Sequence, residues 1–484
     1  MILLQKLYCA SCYIKKELKK LESHKQISDI NQILSEKAQI RKKILKIAIP
    51  SASEQVLIMV VGVVSTILVG RLSSEALSAV GLVNTLLNFI LVLFTALSTG
   101  ATVLVARLIG EGNLTGANSA SKQSLVIGTA ASFVIAFASY ILAYRLLLLF
   151  FSSADPIVLS MALIYFKITL FSFPLLLINV IVGGILRGAG DTRTPMYVAY
   201  IVNILNVILG FILIFGVDFW FINIKGTGIT GAAWAVTIAR GIGGLLMLAA
   251  LLKPGRILNI RLNEKFTFDY IIIRRILKVG VPAALEQVIV QGGILLLQVV
   301  IAGMGTTAIA VYQVGMSIYS ISYMPVWGFA IAATTLVGQA LGAKQSKMAE
   351  IYGWNILKIG MYIIFLLGTI TFIFSKPLVR LYSTETEIII IGSQVIKIFS
   401  ISMPFLCIVQ VIASALRGAG DLIYTTITSF IGIWGFRLLL SILLDRFFGL
   451  GIHGVWIALC FDFAIRAVMY FIRFKKGRWK NIVI

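Results

Sequence analysis

Apolar runs of about 18 residues or more recur along most of this 484-residue chain, and no other feature limits its fold as much. At 1.5 Å per residue, a helix of that length crosses a hydrocarbon core about 30 Å thick. Backbone N–H and C=O groups find no water inside lipid, so such segments must be helices whose hydrogen bonds close internally. Charge content agrees: 13% of residues are charged, against about 25% in a soluble domain. The mean hydropathy is +0.99.

From Lys46 onward six spans fit near 46–70, 76–109, 121–151, 157–186, 193–216 and 229–252, and six more near 277–303, 308–340, 353–375, 386–415, 422–443 and 451–472. The second six repeat the first. "LRGAGD" stands at Leu186–Asp191 and again at Leu416–Asp421; "PSASEQ" (Pro50–Gln55) matches "PAALEQ" (Pro282–Gln287). "KITLFSFP" (Lys167–Pro174) matches "KIFSISMP" (Lys397–Pro404), and "GTGITG" (Gly226–Gly231) matches "GLGIHG" (Gly449–Gly454). Offsets of 230, 232, 230 and 223 keep their order, as duplication requires. An even number of spans per copy sets both copies the same way up. The expected fold is therefore an all-α membrane protein: twelve transmembrane helices in two parallel six-helix lobes, related by a pseudo-two-fold axis along the membrane normal. Its expected divisions are a basic N-terminal arm (1–43), a first lobe (44–252), a linker (253–276), a second lobe (277–475) and a tail (476–484).

The net charge of +23 is concentrated in the arm, with ten Lys and Arg, and in the linker, the tail and short loops. That is the pattern of membrane orientation and not of a nucleic-acid partner. It places the arm, the linker, both "RGAGD" turns and the tail "RFKKGRWK" in the cytosol, so both termini are cytoplasmic. The "CASC" pair, Cys9 and Cys12, has no second pair beside it, and the chain holds only two histidines, so no metal site is expected. The two GxGxxG strings join membrane spans and lack the strand and following acid of a dinucleotide fold. No catalytic motif appears, and neither a catalytic residue nor a cofactor is expected.

Polar residues inside spans carry more information, because a charge near the bilayer centre costs at least about 2.5–3.5 kcal/mol on insertion scales. Glu54 and Glu286 each follow a proline by four residues in the first span of their copy. Left unpaired in a dry site, such a carboxylate could take up and lose a proton near neutral pH, which makes the two the expected ion-coupling residues. Their neighbours Gln55 and Gln287, with Asn84, Asn88, Asn206, Gln291 and Gln313, would suit a cavity for amphipathic molecules. Asn203, Gln298, Tyr312, Tyr319, Met304 and Met316 are placed to extend that lining. Arg187, Asp191, Arg417 and Asp421 of the two turns serve either as fixed helix caps or as a hinge or inner gate. Lys167 and Lys397 lie too far from the inner face to meet the glutamates and are expected to snorkel outward. Asp462 and Arg466 are spaced to pair; Arg240 and Arg437 have no partner legible in the sequence.

The repeated "LRGAGD", "VGRLSSEALSAVGLVN" (Val69–Asn84) and "MPVWGFAIAATTLVGQALGAK" (Met324–Lys344) resemble the multidrug and toxic compound extrusion (MATE) family of transporters. The resemblance covers about residues 44–475. It implies an antiporter that expels drugs and other organic, often cationic, compounds from a cleft between lobes, driven by inward flow of protons or sodium ions. Two family positions depart: Ser65 stands where many members carry an aspartate in the first helix, and Val290 where one branch carries a glutamate in the seventh. The expected function is thus alternating-access export of small amphipathic or cationic molecules by a monomer in a plasma membrane, the inner membrane of a bacterium, coupled to H+ or Na+. The alternative is a flippase for a lipid-linked or anionic lipid.

Overall fold

A computed structural model describes residues 2–151, 154–219, 222–253, 255, 257–258 and 267–482, with the backbone alone for 2–34, 93, 218–219 and 222–224. Two units are present, Met1–Lys46 and Ile47–Ile484. The side chains of Cys9, Cys12 and His24 and linker residues 254, 256 and 259–266 fall outside the described residues.

The helices of the first copy are α1 (Ile2–Gly70), α2 (Ser74–Gly110), α3 (Leu114–Ile141), α4 (Ala143–Phe151), α5 (Pro156–Leu170), α6 (Phe173–Gly188), α7 (Arg193–Phe215) and α8 (Ile229–Leu252). Those of the second are α9 (Tyr270–Ala302), α10 (Thr306–Gly342), α11 (Ser346–Ile373), α12 (Ser375–Arg380), α13 (Thr386–Gly418), α14 (Leu422–Phe430), a π-helical stretch (Ile431–Leu438), α15 (Leu439–Phe448) and α16 (Gly451–Lys476). Among the described residues eleven helices are long and apolar enough to cross a membrane, and the bent pair α5–α6 makes the twelfth span. The chain is a multi-pass membrane protein of two six-helix lobes. Caps start several helices where the sequence places short polar residues: Asp155 Oδ1 accepts from Ile157 N before α5, and Asp269 Oδ1 from Ile271 N and Ile272 N before α9.

The fourth span differs from its sequence reading. It breaks between α5 and α6 with a 56° bend just before Pro174, which has no N–H to continue the ladder. Its counterpart α13 runs unbroken through Pro404. A short antiparallel hairpin, β1 (Gly216–Phe219) with β2 (Ile222–Lys225), was not expected; Gly216 pairs with Lys225, and the hairpin joins α7 to α8.

The pseudo-two-fold holds at the level of single contacts. Thr102 Oγ1 donates to Gly184 O within the first lobe, and Thr334 Oγ1 donates to Ser414 O at the same place in the second, each at a length of 2.8 to 2.9 Å. Between the lobes, a Cβ on Gly110 would collide with the Gln339 carbonyl, and one on Gly342 with the Arg107 carbonyl. That reciprocity is what a two-fold interface produces. Side chains facing away from the core, such as Phe133, Phe137 and Ile141, are apolar and exposed, as a lipid-facing surface requires.

Candidate functional site

Each "RGAGD" turn sends its arginine back into the protein. Helical side chains lean toward the N-terminus of their helix, so Arg187 at the end of α6 reaches Glu54 of α1, Nη1 to Oε1 3.2 Å. Arg417 at the end of α13 reaches Glu286 of α9, Nη1 to Oε1 2.9 Å. Both glutamates are buried. Neither glutamate stands unpaired: each bonds the end of a neighbouring helix, through the arginine of its own lobe's turn.

The two pairs are not equally complete. Glu286 Oε2 also accepts from Thr425 Oγ1 at 2.9 Å, and its Oε1 from Ser429 Oγ at 3.2 Å. Glu54 Oε2 is buried with no hydrogen-bond partner among the described residues. The repeat explains why. At the 230-residue offset, Pro195 and Ala199 stand where the second lobe has Thr425 and Ser429, so neither hydroxyl is present.

The turns also fasten the lobes together. Thr335 Oγ1 donates to Arg187 O at 2.9 Å and Gln339 Nε2 to Gly188 O at 3.0 Å, both across the lobe interface. Arg107 Nη2 reaches Ala419 O of the other turn at 3.5 Å. Glycine is needed at both places in the motif. A Cβ on Gly188 or Gly418 would strike the carbonyl of Thr102 or Thr334, and Gly190 and Gly420 both sit at φ +87°. Asp191 accepts from Thr194 N and Oγ1, as the cap reading expects. Asp421 departs from that reading: its oxygens take Arg473 Nε at 2.7 Å and Nη2 at 3.2 Å, because α16 presents a charged fork within reach.

A cavity of ≈ 570 Å³ lies between the lobes, lined from both. Gln55, Gln287 and Gln291 line it as expected, beside Arg187, Glu286 and Arg417. Tyr319 lines it too, as expected, but Asn84, Asn88, Asn203, Asn206, Gln313 and Tyr312 do not. Asn84 and Asn88 are exposed on the stripe of α2 that continues through Val92, Thr95 and Thr99, but the enclosed lining begins only at Val92. Gln313 is exposed one position past Tyr312, about 100° round α10 from the lining stripe of Tyr319 and Tyr323. Asn206 Nδ2 donates to Ser65 Oγ at 3.1 Å, which joins α7 to α1 inside the first lobe. Asn203 bonds its own helix at Ala199 O, and Tyr312 packs on Trp456. Lys167 and Lys397 lie over the rings of Tyr140 and Phe372.

The wall of the second lobe holds the cluster that the sequence shows only in part. Asp462 is wholly buried and pairs with Arg466, Nε to Oδ1 2.5 Å, at the expected spacing. It also takes Arg437, whose Nε lies 2.9 Å and Nη2 2.5 Å from Oδ2. Arg437 lies in the last turn of the π-helical stretch, a form of helix that redirects side chains and collects at functional sites. Phe463, Tyr319, Tyr323 and Trp327 continue the wall from these arginines; both guanidinium groups lie over Phe463 at 5.1 and 5.4 Å. Among the described residues no group of three or more His, Cys, Asp or Glu gathers as a metal site would.

Comparison with known proteins decides the family. The MatE family model matches residues 50–212 and again 282–443, once per lobe. The chain belongs to the MatE family. This MatE member is 31% identical to the probable multidrug resistance protein NorM of Thermotoga maritima over 92% of its own length and 94% of that protein. It is 28% identical to the uncharacterized transporter YisQ of Bacillus subtilis, over 89% and 93%. Among solved structures, a MOP superfamily transporter from Pyrococcus furiosus superimposes with a TM-score of 0.83 at 22% identity, covering 90% of this chain and 95% of that one. An outward-facing multidrug resistance MATE family transporter does so at 0.82 and 22%, covering 90% and 95%. At that identity the structures establish the MatE fold. Of the two departures from the family, Ser65 is held by Asn206 and Val290 lines the cavity.

Proposed function

We propose that this chain exports small amphipathic organic compounds across a plasma membrane by alternating access, in exchange for an inward-moving ion. The observation that carries this reading is the duplicated glutamate–arginine pair: each lobe places one at the border of a shared cavity, on a turn that fastens it to the other lobe. An ion that breaks such a pair changes the fastening, which couples ion binding to the tilt of the lobes. The similarity to probable multidrug resistance proteins supports the choice of substrate.

Glu54 is the residue assigned to the coupling ion, and the ion to a proton. Its Oε2 has no donor among the described residues, so a hydrogen there displaces nothing, while loss of its charge frees Arg187. Glu286 serves as the balanced partner that keeps the second turn in place. The lobes are fastened to each other at the "RGAGD" end; with that end assigned to the cytosol, this is the inward-closed state of the proposed cycle. The cycle needs no cofactor beyond the ion, and one chain holds the whole cavity, so the proposed unit is a monomer.

The test is dye efflux from vesicles with pH and sodium gradients imposed separately. A pH gradient alone is expected to drive efflux, and Glu54→Gln to abolish it. Driving by sodium alone overturns the proton assignment; efflux under neither gradient overturns export. The alternative, a flippase for a lipid-linked or anionic lipid, draws on one observation: the charged residues of the lining are four arginines and one carboxylate.

A further inference from the structure

The charges at the cavity do not cancel. Arg187 is balanced by Glu54 and Arg417 by Glu286, but Arg437 and Arg466 share the single carboxylate of Asp462. Both side chains are nine-tenths buried or nearly so, at 10% and 8% exposed, and Asp462 stands behind them, absent from the lining. Each guanidinium gives two donor nitrogens to Asp462 out of an inventory of five N–H groups. One positive charge and several donors are therefore left at the cavity wall. A buried charge without a counter-charge is costly unless something pairs with it.

The backbone is shaped to hold this arrangement. The π-helical stretch carries Arg437, and Ser441 Oγ donates to its carbonyl at 2.5 Å. Gly432, in the same stretch, lets α16 come close, since a Cβ there would strike the Arg466 stem at 2.5 Å. The first lobe has no such site: Val207, Ala239 and Gly243 stand at the repeat positions of Arg437, Asp462 and Arg466. The first lobe's own buried cation in that span, Arg240, stands beside Tyr165 and outside the cavity lining, so the unbalanced charge at the cavity wall belongs to the second lobe.

We infer that the Arg437–Asp462–Arg466 cluster is an anion-docking site, which receives the carboxylate, sulfonate or phosphate of an amphipathic substrate whose aromatic part lies along Phe463, Tyr319, Tyr323 and Trp327. The planar forks of the arginines suit a bidentate oxyanion, and the stacked rings, Tyr319 to Tyr323 5.3 Å and Tyr319 to Phe463 6.4 Å between centroids, suit a flat apolar body. This deepens the export reading and rests on it. Free organic acids and anionic lipid headgroups share the chemistry.

Three matched probes test it on the full chain in detergent: 1-pyrenesulfonate, 1-pyrenesulfonamide and (1-pyrenylmethyl)trimethylammonium, with saturable binding read by fluorescence. The sulfonate is expected to bind about tenfold or more tightly than the sulfonamide, the size of one charge-assisted hydrogen bond. Arg437→Gln leaves Asp462 paired one-to-one with Arg466, so that variant is expected to fold, with melting as the check, and to bind sulfonate and sulfonamide alike. Arg437→Lys keeps the charge without the fork and should retain part of the preference. Equal or tighter binding of the trimethylammonium probe overturns the anion site and leaves export standing, as does an Arg437→Gln protein that keeps the full preference. If none of the three binds the folded chain, both readings fall. Repeating the sulfonate titration in nanodiscs separates the two sources: weakening in phosphatidylglycerol relative to phosphatidylcholine assigns the site to headgroups, and equal affinity assigns it to free acids.

Discussion

Glu54 and Glu286 occupy one position in two copies of the same unit and meet the same kind of arginine, but their surroundings have drifted apart. Around Glu286, Thr425 and Ser429 complete the shell of a charged carboxylate. Around Glu54, Pro195 and Ala199 offer no hydroxyl, and one oxygen is left without a partner among the described residues. The same divergence recurs deeper in each lobe. Where the second lobe sets Gly432 against Arg466, the first sets Val202 against Gly243, with the bulky residue moved to the other helix and no charge at either position. A duplicated scaffold has thus kept its backbone contacts and divided its chemistry: a changeable carboxylate in the first lobe, fixed charge and an oxyanion site in the second.

The largest effect should come from removing the charge that holds the second lobe's cluster. Asp462→Asn leaves two buried arginines without a counter-charge, and breaking a buried pair costs about 3–5 kcal/mol. Thermal melting of the purified protein should drop by many degrees or the protein should fail to accumulate. Melting equal to wild type would show that packing, not charge, organises this lobe.

The two glutamates then give the direct contrast. Glu286→Gln removes the charge from a fully bonded carboxylate and should cost about 1.5–3 kcal/mol, the worth of charged hydrogen bonds. Glu54→Gln should melt closer to wild type while losing pH-driven efflux. Equal melting shifts and equal efflux losses in the pair would erase the proposed division. Gly432→Ala belongs at a similar level, about 1–3 kcal/mol from overpacking against Asp462 and Arg466; its binding of 1-pyrenesulfonate should fall with the displaced guanidinium.

Much of this was legible before any coordinates. The twelve spans, the two lobes and the equivalence of the glutamates follow from run length and repeat offset, and the Asp462–Arg466 pair follows from its four-residue spacing. The partners of Glu54 and Glu286 were hidden by distance along the chain, and by treating Arg187 and Arg417 as loop residues. The lean of helical side chains toward the helix start was the available clue, since both arginines end a helix. Arg437 had no such clue. Its contact with Asp462 depends on a π-helical stretch that no periodicity in "IGIWGFRL" announces, and the break at Pro174 against the unbroken run through Pro404 is likewise settled by packing.

The smallest change should sharpen the comparison most. Ala199→Ser restores to the first lobe a hydroxyl that the second has at Ser429, one helical turn past the position of Thr425. If the lobes superimpose as closely there as their backbone contacts indicate, the new Oγ lies within reach of Glu54. The expected gain is about 0.5–1.5 kcal/mol, one hydrogen bond to a previously unpartnered oxygen. Stabilising the charged form should also slow pH-driven efflux several-fold without changing the affinity for an aromatic sulfonate, because that ligand docks in the other lobe. A variant that melts higher but pumps at the wild-type rate would separate the bonding of Glu54 from coupling, and would move the search for the proton's site to another residue.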